Sequence, residues 1–76
     1  MPRLFSGRAI SNILSNKYGF KEVRVVGSHL KMRKTSSSKV ITVIIPLHQE
    51  VSIGTFHSIL RQVGIDKKDF MEKSRE

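Results

Sequence analysis

Cysteine is absent from the 76 residues, so neither a disulfide nor a thiolate metal site can supplement the core. No apolar run approaches the roughly 20 residues a membrane span requires, and Met1-Pro2-Arg3-Leu4-Phe5 lacks the apolar stretch of a signal peptide. The expectation is a cytoplasmic protein, neither exported nor inserted. Acid is scarce and unevenly placed: Met1 to Gln49 carries nine basic residues and one acidic one, Glu22, whereas Glu50 to Glu76 carries five of each. Carboxylates paired near a histidine and ligand spacings of the usual zinc kind are missing too, which favours no metal and no cofactor.

What is present must fold on a small scale. A chain of this length reads as one domain, 1–76, whose folding buries only roughly 60% of the unfolded surface. The excess of base over acid leaves a net charge of +8, all of it in the first two-thirds. Such a field attracts phosphate-bearing partners, because neutralised phosphates release counterions and the attraction steers encounter.

Along the chain, Ser6 precedes Gly7-Arg8 and the apolar set Ala9, Ile10, Ile13, Leu14, whose i, i+3, i+4 spacing predicts a helix closed near Gly19. Phe20 to Val26 alternates as a half-buried strand, with Val23 and Val25 on one side and Glu22 and Arg24 on the other. After a turn at Gly27-Ser28, Leu30 and Met32 point one way and His29, Lys31 and Arg33 the other. The polar Thr35–Ser38 loop leads to the β-branched run Val40–Ile45, ending at Pro46. Both faces of that run are apolar, so Val40 and Ile44 want cover from a partner. Leu47 to Ile53 reads as loop, Gly54 to Val63 as an amphipathic helix closed by Gly64, and Asp66 and Asp69 as the start of a last short helical turn. The expected fold class is α+β, in the order α-β-β-β-α-α. Its three-stranded antiparallel sheet has Gly27–Lys34 at the centre, and its helices lie on the face lined by Val23, Val25, Leu30, Met32 and some of Ile41, Val43 and Ile45. His29 then faces away from the helices.

RNA carries its own nucleophile, the 2′-hydroxyl. Cleaving it requires a base for that proton, an acid for the leaving oxygen and cations for the charge on phosphorus. Imidazole, with an unperturbed pKa near ~6.5, can serve as either proton-transfer group, and Lys31 and Arg33 can hold the phosphate. A lone histidine beside lysine and arginine is also what a solvated strand face looks like. His48, in a loop after Pro46-Leu47, reads as a turn residue or a second proton-transfer group, and His57, sharing a helix face with Arg61, as solvated surface. A metal-independent nuclease, a double-stranded-RNA-binding domain and a DNA-binding adaptor all fit these residues. The second normally starts its last long helix with a lysine cluster, whereas here that helix starts Gly54-Thr55-Phe56-His57-Ser58.

Six short motifs in order carry a resemblance: Ser6-Gly7-Arg8, Gly19-Phe20, Gly27-Ser28-His29, Pro46-Leu47-His48, Gly54-Thr55 and Ile59-Leu60-Arg61-Gln62-Val63-Gly64-Ile65. From Ser6 to about Phe70 the chain resembles the HicA (YcfA-like) toxin family, the RNA-cleaving half of type II toxin–antitoxin modules. The resemblance implies a double-stranded-RNA-binding type of fold and a metal-independent endoribonuclease that cleaves single-stranded mRNA and arrests translation. It makes His29 the catalytic residue; the accessory reading of His48 rests on its own place after Pro46-Leu47 and not on the resemblance. The expected RNA contacts are Gly27, Ser28, Lys31, Arg33 and Lys34. A HicB-type antitoxin protein is the implied partner, over Val26, His29, Val40 and Ile44. The other reading on the same fold is an RNA-binding module without chemistry. Leu30 stands where many members have a second histidine, which removes a candidate proton donor, and the Thr35–Lys39 loop lacks the family's Pro-Asp-Gly type of turn.

Overall fold

The computed structural model describes residues 4–76, so the Met1–Arg3 part of the N-terminal reading lies outside the described residues. The elements are α1 (Gly7–Tyr18), β1 (Lys21–Val26), β2 (His29–Thr35), β3 (Val40–Pro46), α2 (Ile53–Val63) and α3 (Lys67–Lys73). The strands form one antiparallel sheet in the order β1-β2-β3. This is the expected α+β order. The boundaries differ by a residue or two: β1 starts at Lys21, with Phe20 buried before it, β2 starts at His29 after the turn, and α2 starts at Ile53.

Local chemistry sets the helix ends. Ser6 Oγ accepts from the Ala9 N–H at 3.0 Å, Ser52 Oγ from the Thr55 N–H at 3.3 Å and Asp66 from the Lys68 N–H at 3.1 Å. Each satisfies a donor that the first turn leaves without an intrahelical partner. Gly19 and Gly64 close α1 and α2 in the left-handed conformation. Between the helices and the sheet lie Ile10 and Leu14 from α1, Leu30 and Met32 from β2, and Val43 and Ile45 from β3. Phe56, Ile59, Leu60 and Val63 from α2 and Phe70 from α3 complete this buried cluster with Phe20 and Val51. α3 is tied to α1 by the Tyr18 hydroxyl, which donates to the Asp69 carboxylate, and by Tyr18 stacked on Phe70.

The helices pack mainly against β3 and cover β2 as well, where Leu30 and Met32 are fully buried, while β1 stays exposed throughout. Two expectations for β1 are therefore corrected. Val25 pairs with Leu30 and so lies on the helix side, yet it is 48% exposed because no helix reaches over it. Val23 does not line the core at all. The register shifts between Glu22 and Arg24, leaving Val23 as the extra residue of a β-bulge. There it lines a shallow groove with Gly19, Lys21, Arg33 and Thr35.

The bulge also separates Glu22 from Arg24, which strict alternation places together. Glu22 is opposite the buried Met32, hence on the helix side, where its carboxylate accepts from Arg8 of α1 at 3.1 Å. Arg24 is opposite Lys31, on the other face. Among the described residues no helix is long and apolar enough to cross a membrane.

Candidate active site

β2 fixes the site because it is the middle strand and its alternation is strict. Leu30 and Met32 are buried, so His29, Lys31 and Arg33 stand on the face without helices, with His29 exposed and the two cations half-buried. The registers extend this face into rows across the sheet: Val26–His29–Pro46, then Arg24–Lys31–Ile44, then Lys21–Arg33–Thr42, with Thr35–Val40 at the end. Because of the bulge, no carboxylate occupies any of these positions.

His29 is placed by two chain reversals. Gly27 takes φ +60 at the first of two turn residues between β1 and β2, a conformation that costs glycine nothing and an L side chain more. A Cβ there would meet nothing within 4 Å, so the backbone beside His29 is open to an approaching group. On the other side, His29 is opposite Pro46, and Leu47 N–H donates to the Ser28 carbonyl at 2.6 Å, carrying the pairing one step past β3.

The start of α1 locks this end. Gly7 N–H donates to the His48 carbonyl at 2.9 Å, and Val51 N–H to the Phe5 carbonyl at 2.8 Å. Gly7 lies so near the end of β3 that a Cβ would fall 1.9 Å from the Pro46 carbonyl oxygen. Ser6-Gly7, Gly27-Ser28-His29 and Pro46-Leu47-His48, far apart in sequence, thus form one corner of the molecule. The His48 side chain is exposed beside it.

The other expected residues divide. Val26 of β1 and Val40 and Ile44 of β3 are on the His29 face, exposed by 60%, 59% and 46%, so the outer side of strand three is uncovered as its sequence implies. Lys34 is not with them. It is opposite Ile41, on the helix side, with its Nζ 5.9 Å from the centre of the Phe20 ring, a cation–π contact that explains its half-burial. Residue 30 is 0% exposed under the helices, so no side chain there reaches the His29 face. Leucine in place of histidine therefore removes no proton donor from this surface. Ser36 of the serine run closes its own hairpin, its hydroxyl donating to the Lys39 carbonyl at 3.1 Å. His57 is exposed on α2 and helps line an apolar cleft with Phe5, Phe56 and Met71, which shares no residue with the His29 face.

Sequence reasoning missed Lys21 and Arg24 as members of the site. Both are exposed, directly opposite Arg33 and Lys31, and neither makes an ion pair among the described residues. Among those residues no group of three His, Asp or Glu side chains is arranged to hold a metal ion.

A helix, a three-stranded antiparallel sheet and two further helices define a small α+β protein whose helix-free face carries cations and no acid around one histidine. The family described as HicA toxin of bacterial toxin-antitoxin matches residues 8–65, and the chain belongs to that family. The match ends where the six motifs end, at Ile65, and is a little shorter than the resemblance from Ser6 to about Phe70, leaving out the α1 cap and α3. It makes the chain a toxin of the kind that pairs with an antitoxin. No curated protein and no solved structure matches it.

Proposed function

We propose that this toxin is an endoribonuclease that cleaves single-stranded mRNA, without a metal, at His29. In the step assigned here, an imidazole takes the 2′-hydroxyl proton and that oxygen attacks the adjacent phosphorus. The bond to the 5′-oxygen breaks, the leaving oxygen takes up a proton, and a 2′,3′-cyclic phosphate remains. His29 is the general base or the general acid. Lys31 and Arg33, two and four residues along the same face, steady the charge that grows on the phosphate oxygens. The open backbone at Gly27-Ser28 lets the ribose come close. His48, past the Pro46 that faces His29, is the side chain to supply the second proton transfer.

The observation that carries this reading is the exposed imidazole on the helix-free face of the middle strand, with cations on the next two rows and no carboxylate among them. The same face suits inhibition: a HicB-type antitoxin seated on Val26, Val40 and Ile44 would cover His29 and exclude RNA. The test is expression of wild type and His29→Ala without antitoxin, with RNA cleavage followed in parallel. Cleavage and growth arrest should fall by roughly 10²–10⁴ in the variant, whose fold should be unchanged because the side chain is exposed. Arrest that persists in a folded His29→Ala protein removes His29 from the mechanism.

A further inference from the structure

The two rows beyond His29 contain something a β-sheet normally avoids. Arg24 is directly opposite Lys31, and Lys21 directly opposite Arg33, so two successive cross-strand pairs are like-charged. Opposed like charges destabilise a strand pair. None of the four has an acidic partner among the described residues. The bulge at Val23 creates this arrangement, since it brings Lys21 and Arg24 to one face although they are three residues apart and sends Glu22, the lone acid of the first two-thirds, to Arg8 on the other. A local irregularity that concentrates repulsion and removes the neutralising carboxylate makes physical sense if a polyanion supplies the missing charge.

We propose that these rows are a one-sided phosphate track: single-stranded RNA lies along β2, with the scissile phosphate at His29, the next phosphate between Arg24 and Lys31, and the one after between Lys21 and Arg33. This rests on the nuclease reading and adds a direction and a footprint to it. Successive rows are about 6.8 Å apart, two strand rises, a step an extended ribose-phosphate chain can match. The track runs one way only, because beyond His29 the hairpin reverses at the uncharged Gly27-Ser28. It also grips by phosphate and not by stacking. The rings of Phe5, Tyr18, Phe56 and Phe70 contact one another on the helix side and Phe20 is buried. The outer face offers no aromatic platform for bases.

The test reverses the β1 charges in Lys21→Glu/Arg24→Glu and reads binding and stability together. Binding of an unstructured oligouridylate is measured between 50 and 200 mM salt on a His29→Ala background, so that the RNA stays intact. Two lost phosphate contacts should make the log–log salt slope shallower by about 1.4, while Tm stays level or rises as repulsive cross-strand pairs become attractive. A general loss of fold would lower Tm, and Lys21→Gln/Arg24→Gln then supplies the same slope comparison without added acid. In active protein, two nucleotides added to a minimal cleavable oligonucleotide should raise kcat/KM from one end only, and the β1 reversal should abolish that gain. An unchanged slope in both folded double variants, or equal gains from either end, overturns the track. If wild type binds with the expected slope but cleaves nothing, it is the nuclease reading that fails.

Discussion

Gly7→Ala and Gly54→Ala are the same chemical change in the first turn of a helix, and the structure gives them opposite signs. Alanine ordinarily improves on glycine in a helix by about 0.5–1 kcal/mol. At Gly54 nothing lies within 4 Å of the added Cβ, so that gain should appear in full. At Gly7 the Cβ would sit 1.9 Å from the Pro46 carbonyl oxygen and 2.9 Å from Leu47 Cα. Both are backbone atoms, which no rotamer change can move aside. The helix start and the strand end must part by more than an ångström, straining the Gly7 N–H to His48 carbonyl bond. Overpacking costs about 1–3 kcal/mol and a lost hydrogen bond about 1 kcal/mol, so the net effect should be roughly 2–3 kcal/mol of destabilisation. For a domain of this size that is a fall in Tm of roughly 10–20 °C, against a rise of a few degrees for Gly54→Ala. Thermal melts by circular dichroism decide it. Because the displaced Pro46–His48 segment flanks His29, cleavage should drop with Gly7→Ala at temperatures where the variant is still folded. Gly7→Ala melting at or above wild type would refute the close docking of α1 on the end of β3.

Leu30→Asp places a carboxylate where the side chain is 0% exposed and should cost more than about 4 kcal/mol, enough to unfold the domain; a native melt would overturn the facing of β2. Lys31→Ala and Arg33→Ala should each flatten the salt dependence of RNA binding by about 0.7, and unchanged slopes would put the phosphates elsewhere. The Tyr18 hydroxyl, with help from Lys73, holds the Asp69 carboxyl below its ordinary value of 3.8. A lowered folded pKa gives stability that is present above 3.8 and lost as pH falls through the folded value. Tyr18→Phe lacks most of that contribution, so its Tm should fall less steeply than wild type below pH 3.8; parallel acid profiles would show that the Tyr18–Asp69 bond is not formed in solution.

The helix ends and the facing of β2 were legible because they rest on strong local rules. Ser6, Asp66, Gly19 and Gly64 are capping residues by type, and Leu30 and Met32 alternate with three polar residues, His29, Lys31 and Arg33. Ser52 was missed as a cap because Val51 and Ile53 flank it without helical spacing, which made the segment read as loop. β1 misled for a different reason. In Glu22-Val23-Arg24 no residue type marks a bulge, and one inserted residue reverses the parity of what precedes it. With it went Val23, expected in the core, and Lys21, not expected on the outer face; Arg24 follows the bulge and keeps the outer facing that alternation gives it, but was read only as a polar strand residue. Lys34 was a question of parity too: counted along β2 from His29 it falls on the helix side, and the attraction of Phe20 for its stem could not be known without the packing. The exposure of Val25 depends on how far the helices reach across the sheet, a long-range property that alternation does not encode.

The outer face must serve two proposed partners, and its chemistry separates them. The cations occupy β1 and β2, while the apolar Val40 and Ile44 occupy β3, the strand farther from the phosphate rows. In the proposed complex the antitoxin gains most of its apolar hold on β3 and reaches Val26 and His29 at the other end of the face, excluding RNA by overlap. Ile44 is opposite Lys31, so altering it would disturb both partners. Val40, opposite Thr35 and 59% exposed, touches only the apolar part. Val40→Asp should leave Tm and RNA cleavage near wild type while weakening capture by the antitoxin about tenfold or more, since a carboxylate would be buried unpaired at the contact. Its signature in cells would be arrest that the antitoxin no longer relieves. Full neutralisation of a cleaving Val40→Asp toxin would mean that the antitoxin is seated on the charged strands, directly over the phosphate rows.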